Sequence, residues 1–234
     1  MPTVITTPEN ISEVLFEGEL EIDALLGKHA VERSAGSGPV VTLGQPICLG
    51  KFGLDFRMPK GTEALLRQSD YYLVRLACSF RAPADGQITF ATLTAFLRAS
   101  VGDRPLMALD IFPKQVVELE EGEINVAVKP HLNLAKVGEV DLGGVETVIK
   151  YGRLEPVILG LNVQRSDPGW EFSAHKKHPL SGNKFLYLIL EKPRDVEAVR
   201  VTLHATARLQ TRQGVLQTIL RQGSDHLSRV ICEI

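Results

Sequence analysis

Residues 164–184, QRSDPGWEFSAHKKHPLSGNK, concentrate side chains that could bind or react. They hold the single tryptophan, two of the six histidines and three lysines. His175 and His178 could supply two nitrogen ligands to a metal ion. An HxxH pair aims both rings at one ion most readily on a helix, and here Pro179 follows while Lys176 and Lys177 repel a cation. No cluster of Asp, Glu or Cys lies beside them apart from Glu171, so no metal is expected. Trp170 with Lys176, Lys177 and Lys184 could stack a base and hold phosphates. A nucleic-acid groove needs a wider basic field than a chain of net charge −2 offers. Trp170 and Phe172 have strand spacing and are expected to cover the core edge, with turns at Asp167-Pro168-Gly169 and Ser181-Gly182-Asn183. The expected role of Trp170, His175, Lys176, Lys177 and His178 is an exposed contact surface. Trp170 anchors its apolar side, and the basic run faces an acidic partner.

Catalytic constellations are thin elsewhere. Ser224-Asp225-His226 has the residue types of a hydrolase triad, but adjacent residues point apart and cannot relay a proton in sequence. The chain has no GxSxG elbow, Gly-rich phosphate loop or HExxH. Cys78 falls on a predicted core face, where a thiol is inert. Outward His131 and His204, with Arg200 and Arg208 near, read first as the polar face of strands. The residues therefore point away from an enzyme and imply no cofactor; a hydrolase of unrecognised geometry is one alternative.

A chain of 234 residues, 44% hydrophobic and 23% charged, can bury a sizeable core and has a globular composition. No apolar run approaches the ~18 residues of a membrane-spanning helix. The first residues, MPTVITTPENISEVLFEGE, lack the basic start and apolar stretch of a signal peptide. Cys48, Cys78 and Cys232 are few, odd in number and far apart, which argues for a reducing compartment and against a disulfide framework. A cytoplasmic protein is expected. Charge is uneven: residues 150–234 hold 13 Lys and Arg against 8 Asp and Glu, and residues 1–149 hold 13 against 20.

The elements that must position these residues are strands. YYLVRLACSFR puts Tyr72, Val74, Leu76, Cys78 and Phe80 on one face; AVRVTLHATARL does the same with Val199, Val201, Leu203, Ala205, Ala207 and Leu209. INVAVKPHLNL alternates as well, with Ile124, Val126, Val128, Leu132 and Leu134 inward. FLYLILE is apolar on both faces, as a central strand should be. TEALLRQ could form one helical turn with Thr62 as its cap. Residues 215–232 fit either a return strand or a short helix.

Shifting the chain by 110 residues aligns QPICLG (45–50) with EPVILG (155–160), and residues 80–98 with 190–208 without a gap. Identities fall at Pro46/Pro156, Leu49/Leu159, Gly50/Gly160, Pro83/Pro193, Asp85/Asp195, Leu93/Leu203, Ala95/Ala205 and Arg98/Arg208. The expectation is a mainly β protein built by internal duplication. Two similar β-sandwich-like units, 1–103 and 104–213, pack as a pseudo-dimer, with 214–234 as a C-terminal extension. On this reading 164–184 is the counterpart of 54–74: a shared scaffold with specialised loops. The expected function is a non-catalytic β scaffold that binds a protein partner or self-assembles. A membrane-active, pore-forming β protein is the other alternative.

Overall fold

The structure, a computed structural model, describes residues 3–6, 8–22, 39–51, 68–116, 122–128, 145–151, 157–174, 180–211, 214–220 and 227–233. These residues form strands β1 (Thr3–Thr6), β2 (Val14–Glu19), β3 (Glu21–Ile22), β4 (Val40–Gly44), β5 (Ile47–Lys51) and β6 (Ser69–Arg81). There follow β7 (Gly86–Ala99), β8 (Ala108–Phe112), β9 (Gln115–Val116), β10 (Gly122–Val128), β11 (Val145–Tyr151) and β12 (Val157–Leu161). The last are β13 (Gly169–Ser173), β14 (Asn183–Pro193), β15 (Val199–Thr211), β16 (Gly214–Ile219) and β17 (Ser228–Ile231). The protein is nearly all β, as its period-two patterning predicts. TEALLRQ lies outside the described residues apart from Gln68.

Two antiparallel sheets enclose one core. The six-stranded sheet runs β2-β4-β6-β14-β8, with β5 also paired to β6. The eight-stranded sheet runs β3-β16-β15-β7-β13-β12-β9, with β17 also paired to β15. Val74, Leu76, Phe80, Leu186 and Leu188 from the first sheet join Leu93, Leu97, Phe172, Val201 and Leu203 from the second in one buried cluster. The Phe80 and Phe172 rings meet across the layers at 5.9 Å between centroids. Removing each such side chain from water contributes about 1.5–3 kcal/mol, which makes the inner faces the main source of stability.

Burial follows the sequence pattern where one face looks inward. All six predicted inward residues of β15 are buried, and the residues between them are half-buried or exposed. β14 is buried on both faces over Leu186–Leu190, as a strand flanked by β6 and β8 should be. Residues 215–232 resolve as return strands: β16 and β17 both pair with β15 and complete the eight-stranded sheet. The expected units 1–103 and 104–213 each contribute strands to both sheets.

The chain crosses between the sheets twice in the same way, from β6 to β7 and from β14 to β15. Each turn is closed by a bond at the same repeat position. Gly86 N–H donates to Pro83 O at 3.2 Å, and Val196 N–H donates to Pro193 O at 3.0 Å. β6 pairs antiparallel with β14, Leu76 opposite Leu186; β7 pairs antiparallel with β15, Thr94 opposite His204. Both pairs are 110 residues apart. Each ladder thus sets opposite one another residues that are 110 apart in sequence.

Candidate functional site

Trp170 belongs to β13, which is inserted between β12 and β7, with Gly160 and Leu93 as its cross-strand neighbours. It is 1% exposed, and its indole N–H donates to Pro113 O at 3.1 Å. The core therefore takes up this side chain, as its strand spacing with Phe172 predicts. Gly160 allows the approach: a Cβ there would lie 3.0 Å from Pro113 O and 2.9 Å from Ile111 Cδ1. Before Trp170, the chain is tied down over Gln164–Pro168. Gln164 N–H and Arg165 O bond Ala108, while Ser166 O and Pro168 O accept from Leu97 and Ala95. Asn162 and Gln164 take left-handed backbone (φ 58 and 62), and the Asn162 amide donates to Asp167 O at 3.1 Å.

His175, Lys176, Lys177 and His178 lie outside the described residues, as do His131 and Ser224-Asp225-His226. Lys184 is buried, and its amine donates to Ser181 O at 2.8 Å, so it closes the following turn. His204 sits half-buried on β15, and burial holds its imidazole below the usual pKa. Arg208 stacks over Phe90 at 5.3 Å, and Arg200 pairs with Asp103. Neither arginine turns His204 into a catalytic group. Among the described residues, no three His, Cys, Asp or Glu come together as metal ligands. Cys78 is fully buried, whereas Cys48 and Cys232, distant in sequence, lie side by side.

The feature that sequence reasoning only half found is a third sheet. β10 pairs antiparallel with β11, and β1 pairs parallel with β11. The register sets Ile124 opposite Ile149, Val126 opposite Thr147 and Val128 opposite Val145. The alternate positions pair Glu123 with Lys150, Asn125 with Val148 and Ala127 with Glu146. β1 adds a parallel register, placing Val4 beside Val148, Ile5 beside Ile149 and Thr6 beside Lys150. Among the described residues, this sheet pairs with no strand of the large sheets, and β10 and β1 are its end strands. VETVIKY carried the signal for β11; nothing local announced its pairing with residues 3–6.

No protein-family description and no curated protein matches the chain. Solved structures resemble it distantly. Clostridium perfringens delta-toxin superposes with a TM-score of 0.36 at 9% identity, covering 83% of this chain and 89% of its own. The Clostridium perfringens NetB toxin in its membrane-inserted form gives 0.33 at 7%, covering 84% and 88%. A structure described as a pore forming protein gives 0.36 at 9%, covering 84% and 83%. None superposes closely enough to bear on the residues above.

Proposed function

We propose that the protein is a non-catalytic β scaffold that self-assembles or takes a protein partner through its three-stranded sheet. The observation behind this reading is a sheet whose end strands, β10 and β1, pair with no further strand among the described residues. An end strand presents a row of unpaired N–H and C=O groups that another chain can match. Seven-residue β10 turns about three or four residues to its open side, enough for about six to eight such bonds. At about 1 kcal/mol net each, these alone make a weak complex. Apolar burial, about 25 cal/mol per Å², must supply the rest. The basic run His175, Lys176, Lys177 and His178 of the sequence, next to Trp170, favours an acidic counterpart. Exposed ion pairs contribute only ~0–1 kcal/mol each, so such a run would select orientation more than affinity.

The same three-stranded sheet suits a second reading, insertion into a membrane. Each of β10 and β11 has seven residues. A tilted membrane-spanning strand needs about 9–11, so the hairpin would have to lengthen into residues 129–144. No described helix is long and apolar enough to cross a membrane, which leaves strands as a separate question. One comparison separates the readings. Sedimentation velocity of the wild type should show concentration-dependent association, lost in Ile149→Lys with the circular dichroism unchanged. Dye release from anionic vesicles by the wild type, with no association in solution, would replace the scaffold reading with the membrane one.

A further inference from the structure

Cys48 and Cys232 are 184 residues apart in sequence, and their sulfurs lie 2.8 Å apart. Cys48 belongs to β5, on the edge of the six-stranded sheet, and sits at a register shift beside Gly50. Cys232 directly follows β17 of the eight-stranded sheet and holds a left-handed backbone, φ 53. The two thiols thus meet where the edges of the two sheets come together. Both are free. Cys48 is half-buried and reachable from solvent, while Cys232 is 7% exposed.

We propose that Cys48 and Cys232 are an oxidisable dithiol that a hydroperoxide converts to a disulfide, fastening the C-terminal strand of one sheet to the edge of the other. The Cys48 thiolate attacks a peroxide oxygen, the O–O bond breaks, a sulfenic acid forms on Cys48 and water leaves. The Cys232 sulfur then attacks the sulfenic sulfur, the S–S bond forms and a second water leaves. Two thiols give up two electrons, and one hydrogen peroxide becomes two waters. A dithiol reductant reverses the change by exchange.

The surroundings divide the roles. Cys232 S–H donates to Cys48 and the backbone at Gly50 adds a second bond, so the Cys48 thiol is pulled down to about 7 against the opposing effect of burial. Cys232 is pushed up, first by that same bond and then by burial. At neutral pH the reachable sulfur is therefore the nucleophile, and the buried one keeps its proton until the second step. The charged and titratable neighbours are Lys192 of β14, which favours a thiolate at Cys232, and Tyr72, Asp70 and Lys51 around β5 and β6. Lys51 and Asp70 neutralise each other at 2.7 Å. Closing the bond requires a sulfur movement of under about 1 Å, to the ~2.05 Å of a disulfide.

The test is one equivalent of hydrogen peroxide on the full chain, followed by thiol counting in denaturant and peptide mapping. The expected count falls from three to one, with a Cys48–Cys232 cross-link and Cys78 still reduced. The rate should rise with pH through about 7. Cys78→Ser should behave the same, with a count falling from two to none. Cys48→Ser should keep Cys232 reduced at the same peroxide dose. Three surviving thiols, an intermolecular Cys48 dimer, or Cys48 oxidised to sulfinic acid without a cross-link would each overturn the assignment.

Discussion

The hairpins β6–β7 and β14–β15 make the same crossing between the sheets, yet share little beyond their inner faces. Leu93 and Leu203, and Ala95 and Ala205, are fully buried in equivalent places. Their other identical residues serve different ends. Gly50 is needed for its φ of 144, with open space where a Cβ would stand. Gly160 is needed for close approach to Pro113 and Ile111. Arg98 bonds Asp103, while Arg208 stacks over Phe90. Asp103, at a left-handed φ of 55, also pairs with Arg200, so one carboxylate relieves two arginines placed directly opposite each other. The strands that precede the hairpins diverge most. β5 joins the six-stranded sheet and β12 the eight-stranded one. The core constrains both hairpins alike, and the edges are where they were free to differ.

If the two hairpins are copies of one unit, the core should not distinguish them. Leu93→Ala and Leu203→Ala should each cost about 2–5 kcal/mol of unfolding free energy, because both leave a cavity at equivalent repeat positions. Urea titration measures this, and a gap of several kcal/mol between them would break the equivalence.

The turns should show the opposite. Lys192 is 1% exposed and donates to Val196 O at 2.6 Å and Glu197 O at 3.4 Å, whereas repeat-equivalent Ala82 is exposed. Lys192→Met keeps the stem but leaves buried carbonyl oxygen unpaired, so it should cost about 1–3 kcal/mol. Ala82→Lys should change stability little. Equal tolerance at both positions would mean that the amine does not hold the second turn.

The smallest expected effect lies at His204, opposite Thr94 in the β7–β15 ladder. Burial lowers the pKa of His204 from 6.5, so the unfolded chain takes a proton that the folded chain refuses. Its contribution is fully present above about pH 6.5 and lost on acidification below it. His204→Thr, which copies Thr94, should flatten that part of the pH–stability profile. A profile unchanged by the substitution would assign the acid sensitivity to another group.

Strand identity was readable because burial on one face leaves a period of two, as in β15, where each inward residue is apolar. β14 was readable for the complementary reason, being covered on both faces. Tertiary proximity leaves no such mark. Cys48 and Cys232 looked like distant structural thiols because separation along the chain carries no information about which sheet edges meet. Trp170 was expected at the core edge from its strand spacing with Phe172, and it is buried; that it packs beside Gly160 and bonds Pro113, remote in sequence, had no local sign. The third sheet was half visible in INVAVKP; its parallel pairing to Thr3–Thr6 is a long-range event without local signature.

Amide hydrogen exchange, compared between dilute and concentrated protein, tests the proposed use of the third sheet most directly. Association through that sheet predicts slower exchange over Gly122–Val128 and Val145–Tyr151 at high concentration, with β6, β7, β14 and β15 unchanged. Slowing confined to β2 or β8, the end strands of the six-stranded sheet, or no concentration dependence anywhere, would contradict it.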